Sequence, residues 1–299
     1  MAGPASARGT LHGVVELREK VVLVTGGTGG IGKETARGLV RLGARVVVTG
    51  RDPGRAAAVA EELGVDALIA DVTRQRDLRA LAETVGERYG GLYALINNAG
   101  VHPPRRELTE DGVESAFAGN VLAPYLLTRL LLPALRRGAA GGTARVVNIT
   151  GGVPRGRLDP GNLQAERRFT GWLTDTQYNR TKLAMMAVSR TQAERYGGPD
   201  IAVTVAYPGH ADTPMTRALP IRTYPVLLRP VVPLVRPLMP LLWSDASRPA
   251  RTAVRVVAAD AANGVYVGMN GRRARWPAAT TDPAVRDLLW TMCERLAPA

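Results

Sequence analysis

"VTGGTGGIG", residues 24–32, stands between an apolar run that predicts a strand and a stretch that predicts a helix. Glycines at such a junction let the backbone approach a phosphate closely, because a Cβ atom would block the approach. Backbone amides and the N-terminus of the helix then hold a pyrophosphate. The alternative, a merely flexible turn, is disfavoured by the strand before and the helix after. The residues predicted to bind a dinucleotide here are Gly26, Thr28, Gly30, Ile31 and Gly32.

The same strand-then-helix alternation continues along the chain. Helical patterns separate apolar runs rich in β-branched residues, a spacing that predicts βαβ units. We therefore expect a single-domain α/β fold over residues 19–299, a doubly wound parallel sheet with helices on both faces. Residues 1–18 are expected to be a flexible leader, and residues 282–296 a helix, since Asp282 and Pro283 form a start signal. The predicted strands cover residues 21–25, 44–49, 67–70, 93–97, 144–149 and 201–206.

Composition argues against several other classes of protein. The net charge is +13, but only three of the 39 basic residues are lysines, and the arginines are spread along the chain without a dense basic run. A nucleic acid partner is therefore not expected. Cys293, the single cysteine, excludes an internal disulfide, and no metal site is predicted. The first residues lack an apolar stretch of signal-peptide length, so a cytoplasmic protein is expected.

One apolar segment, residues 224–243, resembles a membrane span in composition. Its five prolines break the helix that a span needs, and Arg229 and Arg236 would lie in hydrocarbon. The sequence instead predicts an apolar, proline-rich flap over residues 212–247. This flap either covers a pocket or touches a membrane surface, because long irregular segments in compact domains are usually functional.

The end of the second predicted strand bears on the choice of cofactor. In dinucleotide-binding folds an acidic residue at this place binds the ribose 2′-hydroxyl, whereas an arginine accommodates a 2′-phosphate. Here Gly50 is followed by Arg51, which favours NADP(H), with NAD(H) still possible. Two alternatives stay open: Arg51 is a solvated turn residue, or Asp52, farther from the strand end, is the ribose acid.

A tyrosine and a lysine four residues apart suggest acid–base chemistry. Tyr178 and Lys182 in "YNRTK" share one face of a helix, so the ammonium is expected to favour the ionised phenol. In a reduction the phenol protonates a carbonyl oxygen while a nicotinamide delivers hydride to carbon, and oxidation reverses the sequence. An exposed pair on an amphipathic helix is the alternative, and the glycine loop argues against it.

Together with "NNAG" (97–100), Asn120 and "YPGHADT" (207–213), these motifs resemble the short-chain dehydrogenase/reductase family over residues 19–296. "NLQAERRFTGW" (162–172) and "LLWTMCERL" (288–296) resemble its retinol-dehydrogenase-like branch. The resemblance implies a Rossmann-type fold, a structural role for Asn97, and an Asn120 that props a water or a backbone carbonyl behind the lysine. It implies cofactor contacts from Asp71, Val72, Asn98, Ala99, Gly100, Tyr178, Lys182, Pro208, Gly209 and Thr213.

The chain departs from the family's pattern in "NITGG" (148–152). The resemblance aligns Thr150 and Gly151 with the usual Ser-Ser pair, of which the second hydroxyl binds the reacting carbonyl oxygen. Thr150 replaces it only if the turn is rearranged, because neighbouring strand residues point to opposite faces. Losing one preorganised donor costs about 10²–10³ in rate. Thr150, His102, His210 or the substrate itself could supply the contact, and both histidines are otherwise polar wall residues.

Three functions follow from the sequence. The first is an NADP(H)-dependent oxidoreductase acting on a bulky apolar alcohol, ketone or aldehyde, in bacterial natural-product biosynthesis, with a homodimer or homotetramer as the assembly. The second is a redox-neutral cyclisation, elimination or isomerisation that uses Tyr178 as acid and base. The third is a cofactor-binding scaffold or sensor, against which the intact Tyr178 and Lys182 argue.

Overall fold

Seven parallel strands form one sheet in the order β3-β2-β1-β4-β5-β6-β7. The computed structural model describes residues 16–140, 142–151, 158–172, 175–235, 245–259 and 262–298. The middle strands β4, β5 and β6 are buried along their whole length, as in a sheet with both faces covered. The strands are β1 (Val21–Val24), β2 (Arg45–Gly50), β3 (Asp66–Ile69), β4 (Ala94–Asn97), β5 (Ala144–Ile149), β6 (Ile201–Ala206) and β7 (Val265–Val267).

Helices lie on both faces of the sheet. On one face α1 packs against α9, and on the other α3, α5 and α6 cover the strands. The helices are α1 (Gly30–Arg41), α2 (Pro53–Leu63), α3 (Gln75–Tyr89), α4 (Ser115–Phe117), α5 (Ala123–Gly138), α6 (Gln177–Tyr196), α7 (Pro214–Arg217), α8 (Val232–Val235), α9 (Ser247–Ala258) and α10 (Pro283–Leu296). A π-helical turn, Ala118–Leu122, joins α4 to α5, and 3-10 turns lie at Pro160–Asn162, Ile221–Thr223, Val226–Leu228 and Ala278–Thr280.

The predicted fold class is confirmed, and the six predicted strands all occur with bounds shifted by at most one residue. The helix predicted over 282–296 begins at Pro283, and the Asp282 carboxylate caps it by accepting a hydrogen bond from the Ala284 amide at 2.9 Å. β7 was not predicted, because its three residues are too few to show a strand period.

The predicted leader needs a small correction at its end. Residues 1–15 lie outside the described residues. Leu17 is 1% exposed and packs with the side chains between α1 and the sheet, while the Lys20 amide donates to the Leu17 carbonyl at 3.0 Å. The packed chain therefore begins no later than Leu17, two residues before the predicted boundary at residue 19.

Two segments bear on whether the chain could span a membrane. The described part of residues 224–243 is helical only at Val226–Leu228 and Val232–Val235, both far too short to span. The helical stretch Ser115–Gly138 is long and apolar enough by length and composition, but 78% of its most apolar window is buried inside the protein. Its apolar character is that of a core helix beneath the sheet.

Candidate functional site

The glycine-rich loop follows the carboxyl end of β1. In the sheet, β1 lies between β2 and β4. Gly26 has φ 64°, a left-handed conformation that favours glycine. A Cβ atom at Gly32 would collide with the Gly26 carbonyl oxygen, so the start of α1 touches the loop directly. This is the crevice in which doubly wound sheets bind ligands.

The end of β4 fixes the shape of this loop. The Asn98 side-chain amide donates to the carbonyls of Thr25 at 2.9 Å and Gly26 at 3.2 Å. In return, the Thr25 hydroxyl accepts from the amides of Asn98 and Ala99, both at 3.1 Å. Thr25 was not among the predicted site residues, although it directly precedes the first glycine. The Asn98 side chain thus holds the loop, and its predicted contact with a cofactor is left to its backbone.

The predicted segment after β6 reaches the same crevice. The Thr213 methyl carbon lies 3.2 Å from where a Gly30 Cβ would be, at the start of α1. Pro208 is buried and Gly209 has φ 90°. The structure therefore brings the β6 segment against the glycine loop, in a position to border a dinucleotide.

At the end of β2, Asp52 caps the next helix and Arg51 is exposed. The Asp52 carboxylate accepts from the Arg55 amide at 3.0 Å and caps α2, so it is engaged in the fold. Arg51 is exposed and forms no ion pair with the described residues. Thr28 lies against Gly50, where a Cβ atom would be 2.5 Å from the threonine hydroxyl. Thr28 and Arg51 are therefore placed at one end of the crevice.

After β3, Asp71 shapes its own turn. Its Oδ1 atom accepts from the Thr73 amide at 2.9 Å and from the Thr73 hydroxyl at 2.8 Å. Val72, beside it, is partly buried. Deeper in the sheet, the side-chain amide of Asn97 donates from Nδ2 to Asn148 Oδ1 at 2.7 Å. This hydrogen bond connects β4 to β5.

Tyr178 and Lys182 lie on α6, which begins after Thr176, whose hydroxyl caps the helix by accepting from the Asn179 amide at 3.2 Å. Lys182 Nζ donates to the Ile149 carbonyl at 3.1 Å and lies 5.8 Å from the centre of the Tyr178 ring. The same Nζ is 3.6 Å from where a Gly100 Cβ would be. The pair therefore lies between the ends of β4 and β5.

The pKa values of this pair differ from the expectation that the lysine favours the ionised phenol. Burial, with a smaller contribution from Tyr207, raises the pKa of Tyr178 to about 12. Burial lowers the pKa of Lys182 to about 8. Desolvation penalises the charged form of each group and outweighs their mutual attraction. At neutral pH the phenol keeps its proton and the lysine remains largely charged, which suits Tyr178 to donating a proton.

Residue 151 faces the tyrosine hydroxyl. A Cβ atom on Gly151 would lie 2.7 Å from Tyr178 Oη. The Thr150 amide still donates to the Ala206 carbonyl at 2.9 Å, so Thr150 continues the extended pairing of β5 with β6. Because neighbouring residues in an extended chain point to opposite faces, we expect the Thr150 side chain to be directed away from the tyrosine hydroxyl.

Asn120 lies in the π-helical turn and connects three segments of the site. Its Oδ1 atom accepts from the Val101 amide at 2.8 Å, and its Nδ2 atom donates to the Val101 carbonyl at 2.8 Å. Nδ2 also donates to the Thr181 hydroxyl at 3.0 Å, which in turn donates to the Tyr178 carbonyl at 2.9 Å. Asn120 therefore holds the loop after β4 against α6.

The two candidate histidines have different surroundings. The His102 ring stacks on the Tyr178 ring, with centroids 4.4 Å apart and planes inclined by 16°. His210 is exposed, and its Nε2 atom lies 3.3 Å from Tyr207 Oη. Sequence reasoning placed both at the border of the site, but the contact of His102 with Tyr178 depends on a loop geometry that no motif specifies. Among the described residues, no group of acids, histidines and cysteines could hold a metal ion.

Comparison with known proteins adds the following similarities. The profile of the short chain dehydrogenase family matches residues 20–158. A putative daunorubicin C-13 ketoreductase from Streptomyces sp. is 34% identical over 75% of this chain and 76% of its own. Retinol dehydrogenase 14 from Mus musculus is 31% identical over 96% of this chain and 86% of its own.

Two solved structures have similar folds. The Pseudomonas aeruginosa RhlG/NADP active-site complex superposes with a TM-score of 0.65 and 29% identity, over 87% of this chain and 98% of that one. The 3-ketoacyl-(acyl-carrier-protein) reductase from Brucella melitensis, complexed with NADH, gives a TM-score of 0.62 and 25% identity, over 84% and 97%.

Proposed function

Because this chain belongs to the short-chain dehydrogenase family, we propose that it is an NADP(H)-dependent oxidoreductase acting on a bulky apolar ketone, aldehyde or alcohol. The observation that carries the proposal is the pair formed by the partly buried Tyr178 and the buried Lys182 beside the glycine-rich loop. A tyrosine that keeps its proton, next to a lysine and a dinucleotide crevice, has the arrangement needed to protonate a carbonyl oxygen.

The residues around the crevice fit a dinucleotide. Gly26 and Gly32 are in close contact. The space beside Gly29 is open, because no atom lies within 4 Å of where a Gly29 Cβ would be. The amides at the start of α1 would hold the pyrophosphate there. The nicotinamide supplies the hydride when it is bound. Lys182, held by the Ile149 carbonyl, would lie beside the nicotinamide ribose.

The preference for NADP(H) rests on the end of β2. Asp52 is engaged as the cap of α2, whereas the exposed Arg51 side chain is available for a 2′-phosphate. The similar structures include both an NADP and an NADH complex, so they do not distinguish the two cofactors. Arg51 is the feature of this chain that favours NADP(H).

Titration tests the preference. We expect NADPH to bind more tightly than NADH, and Arg51→Ala to remove most of the difference, because a charge-assisted contact is lost. Arg55→Ala is the matched control, since Arg55 is an exposed arginine in the first turn of α2 whose side chain pairs only weakly with Asp52 at 3.9 Å. Equal affinity of the unaltered protein for NADH and NADPH would contradict the assignment.

An apolar substrate is supported by the side chains around the mouth of the crevice. Met215 Cε lies 3.7 Å from where a Gly100 Cβ would be. The Met269 sulfur lies 3.4 Å from where a Gly209 Cβ would be. These methionines are 39% and 68% exposed, so they present apolar surface beside the site. Adaptable methionine surfaces suit large apolar ligands.

The flap adds further apolar surface beside this mouth. The Val226 amide donates to the Gly171 carbonyl at 3.1 Å, and the Leu227 amide donates to the Trp172 carbonyl at 3.2 Å. Trp172 is 64% exposed and Leu227 52% exposed. Of the two roles expected for the flap, we propose that it covers a pocket. Similarity to the daunorubicin ketoreductase supports natural-product biosynthesis as the setting.

Turnover of two carbonyl probes tests the activity. The purified protein is incubated with NADPH and either all-trans-retinal or 2-acetonaphthone, while nicotinamide absorbance and product mass are followed. We expect cofactor oxidation matched by a product that has gained two hydrogens. Failure to reduce either probe, or any other bulky apolar carbonyl compound at saturating NADPH, would contradict the proposed activity.

Gly151 favours one second candidate, redox-neutral acid–base chemistry at Tyr178. Gly151 faces the phenol and has no side chain. Of residues 151 and 178, Tyr178 alone therefore supplies a side-chain donor. The same mass measurement separates the candidates. A substrate that rearranges or loses water while NADPH stays reduced would support the redox-neutral reaction.

A further inference from the structure

We propose that His102 donates the second hydrogen bond to the substrate oxygen, the bond for which residue 151 has no side chain. The inference rests on the proposed function and adds a residue to it. It starts from the stacking of His102 on Tyr178, with ring centroids 4.4 Å apart and planes 16° from parallel. An N–H of imidazole and the O–H of phenol both lie in the planes of their rings. We place the substrate oxygen at one edge of this stack, where it would accept from both groups.

The state of the His102 ring suits a hydrogen-bond donor. Burial lowers the pKa of His102 to about 4, so the ring is neutral at physiological pH and carries one N–H and one acceptor nitrogen. Within the described part of the chain, neither ring nitrogen forms a hydrogen bond. A substrate oxygen would accept a hydrogen bond from this N–H. Neutral imidazoles polarise carbonyl groups in this way in other active sites.

The backbone next to His102 is held by the Asn120 side chain. Both backbone polar groups of Val101 are bonded to the Asn120 side chain, each at 2.8 Å. Pro103 follows His102 and restricts its backbone further. Asn120 also reaches Tyr178 through Thr181, so one amide sets the histidine and the tyrosine relative to each other. Donors held in this way need no reorganisation during the reaction.

The other candidates for the missing donor are less well placed. Gly151 has no side chain, and the Thr150 amide continues the pairing of β5 with β6, which is expected to direct the Thr150 side chain to the opposite face. His210 is exposed and pairs with Tyr207. His102 is in direct ring contact with the tyrosine that donates the first hydrogen bond.

Two substitutions separate hydrogen bonding from ring stacking. His102→Phe keeps an aromatic ring on Tyr178 and removes the N–H, whereas His102→Gln keeps an N–H donor and removes the ring. With NADPH and 2-acetonaphthone, we expect His102→Phe to lower kcat by about 10²-fold, the effect of one preorganised donor. KM and NADPH affinity should change little, because the bond strengthens as charge develops on the oxygen. His102→Gln should retain more activity than His102→Phe.

A magnetic resonance measurement observes His102 directly in the unaltered protein. In protein labelled with ¹⁵N-histidine, NADP⁺ and 2-acetonaphthone form a complex that cannot transfer hydride. The His102 N–H proton, assigned by its loss in His102→Gln, should move downfield when the ketone binds.

The outcomes that overturn the inference are distinct from those that overturn the proposed function. Full kcat in His102→Phe, a kcat for His102→Phe equal to or above that of His102→Gln, or a His102 resonance that does not move would each overturn the role of His102 while the reductase activity stands. An unaltered protein that reduces no carbonyl probe overturns the proposed function, and the inference falls with it.

Discussion

Tyr178 combines two properties at the scale of the single residue. Its burial keeps the phenol protonated, and its hydroxyl lies next to the backbone of Gly151. Lys182 keeps most of its charge at neutral pH because its lowered pKa of about 8 is still above 7. The tyrosine is thus prepared to donate a proton, and the lysine to stabilise the charge that remains on the phenolate.

Removing the phenolic hydroxyl should separate chemistry from binding. We expect Tyr178→Phe to abolish detectable reduction of 2-acetonaphthone while NADPH affinity, measured by fluorescence titration, stays nearly unchanged. The reason is that the hydroxyl transfers a proton and contributes little to binding of the dinucleotide. Lys182→Ala should weaken both, since the ammonium is placed to contact the cofactor as well. Full activity in Tyr178→Phe would assign the proton transfer to another group.

Adding a side chain at residue 151 tests how tightly the site is packed. A Cβ atom there would lie 2.7 Å from Tyr178 Oη, too close unless the tyrosine moves. We therefore expect Gly151→Ala and Gly151→Ser to lower kcat to a similar extent, because the shared Cβ displaces the phenol. The alanine variant is the control for the hydroxyl. A serine variant faster than the unaltered protein would show that the enzyme only lacks a donor at this position.

At the scale of the element, α6 is held to the loop before it by the buried Arg180. Its guanidinium pairs with Asp175 and donates to Gln177 Oε1 at 3.1 Å and to the carbonyls of Arg168 at 2.5 Å and Phe169 at 3.2 Å. The side chain is 2% exposed, whereas Asp175 is 34% exposed. Arg180 therefore anchors the loop that leads into the Tyr178 helix.

Replacing this anchor should destabilise the fold. We expect Arg180→Met to lower the free energy of unfolding by about 2–4 kcal/mol, because Gln177 Oε1 and one Asp175 carboxylate oxygen lose a donor and the two loop carbonyls lose one of their hydrogen bonds to α6. Arg168→Met is the matched control: it contacts the same Asp175 from a side chain that is 55% exposed. That change should cost less than about 1 kcal/mol. Equal losses in urea unfolding would contradict a special role for Arg180.

The elements also show how far sequence reasoning reaches. Six strands were predictable because each is a run of apolar, often β-branched residues, and the Asp-Pro start of α10 is a local signal. The π-helical turn has no comparable period, and its Asn120 acts on Val101, 19 residues away in the chain. The stacking of His102 on Tyr178 likewise joins two segments that are distant in the chain. Local patterns therefore predict the scaffold and the Tyr–Lys pair, but not how distant segments place the neighbouring side chains.

At the scale of the whole molecule, several groups are shifted by burial and so link stability to pH. Lys182 has an ordinary pKa of 10.5 that falls to about 8 in the fold, so between these values the unfolded chain binds more protons and stability rises with pH. Four tyrosines have the opposite linkage, since burial contributes most to raising each pKa from 10.0 to about 12 and the unfolded chain loses their protons first. They are Tyr89, Tyr178, Tyr196 and Tyr266.

We therefore predict that the free energy of unfolding rises by up to about 1 kcal/mol between pH 8 and 9 and falls steeply above pH 10. Burial also raises the pKa of Cys293 above its ordinary 9.0, so the thiol opposes the lysine as the pH approaches 9 and, together with the tyrosines, places the maximum near pH 9. Urea unfolding at each pH measures the profile. Lys182→Met, which removes the buried charge, should be the more stable protein at pH 7 and should lose the rise between pH 8 and 9, while the fall above pH 10 stays. A rise that persists in Lys182→Met would mean that another group is responsible, and the lowered pKa of Lys182 would be contradicted.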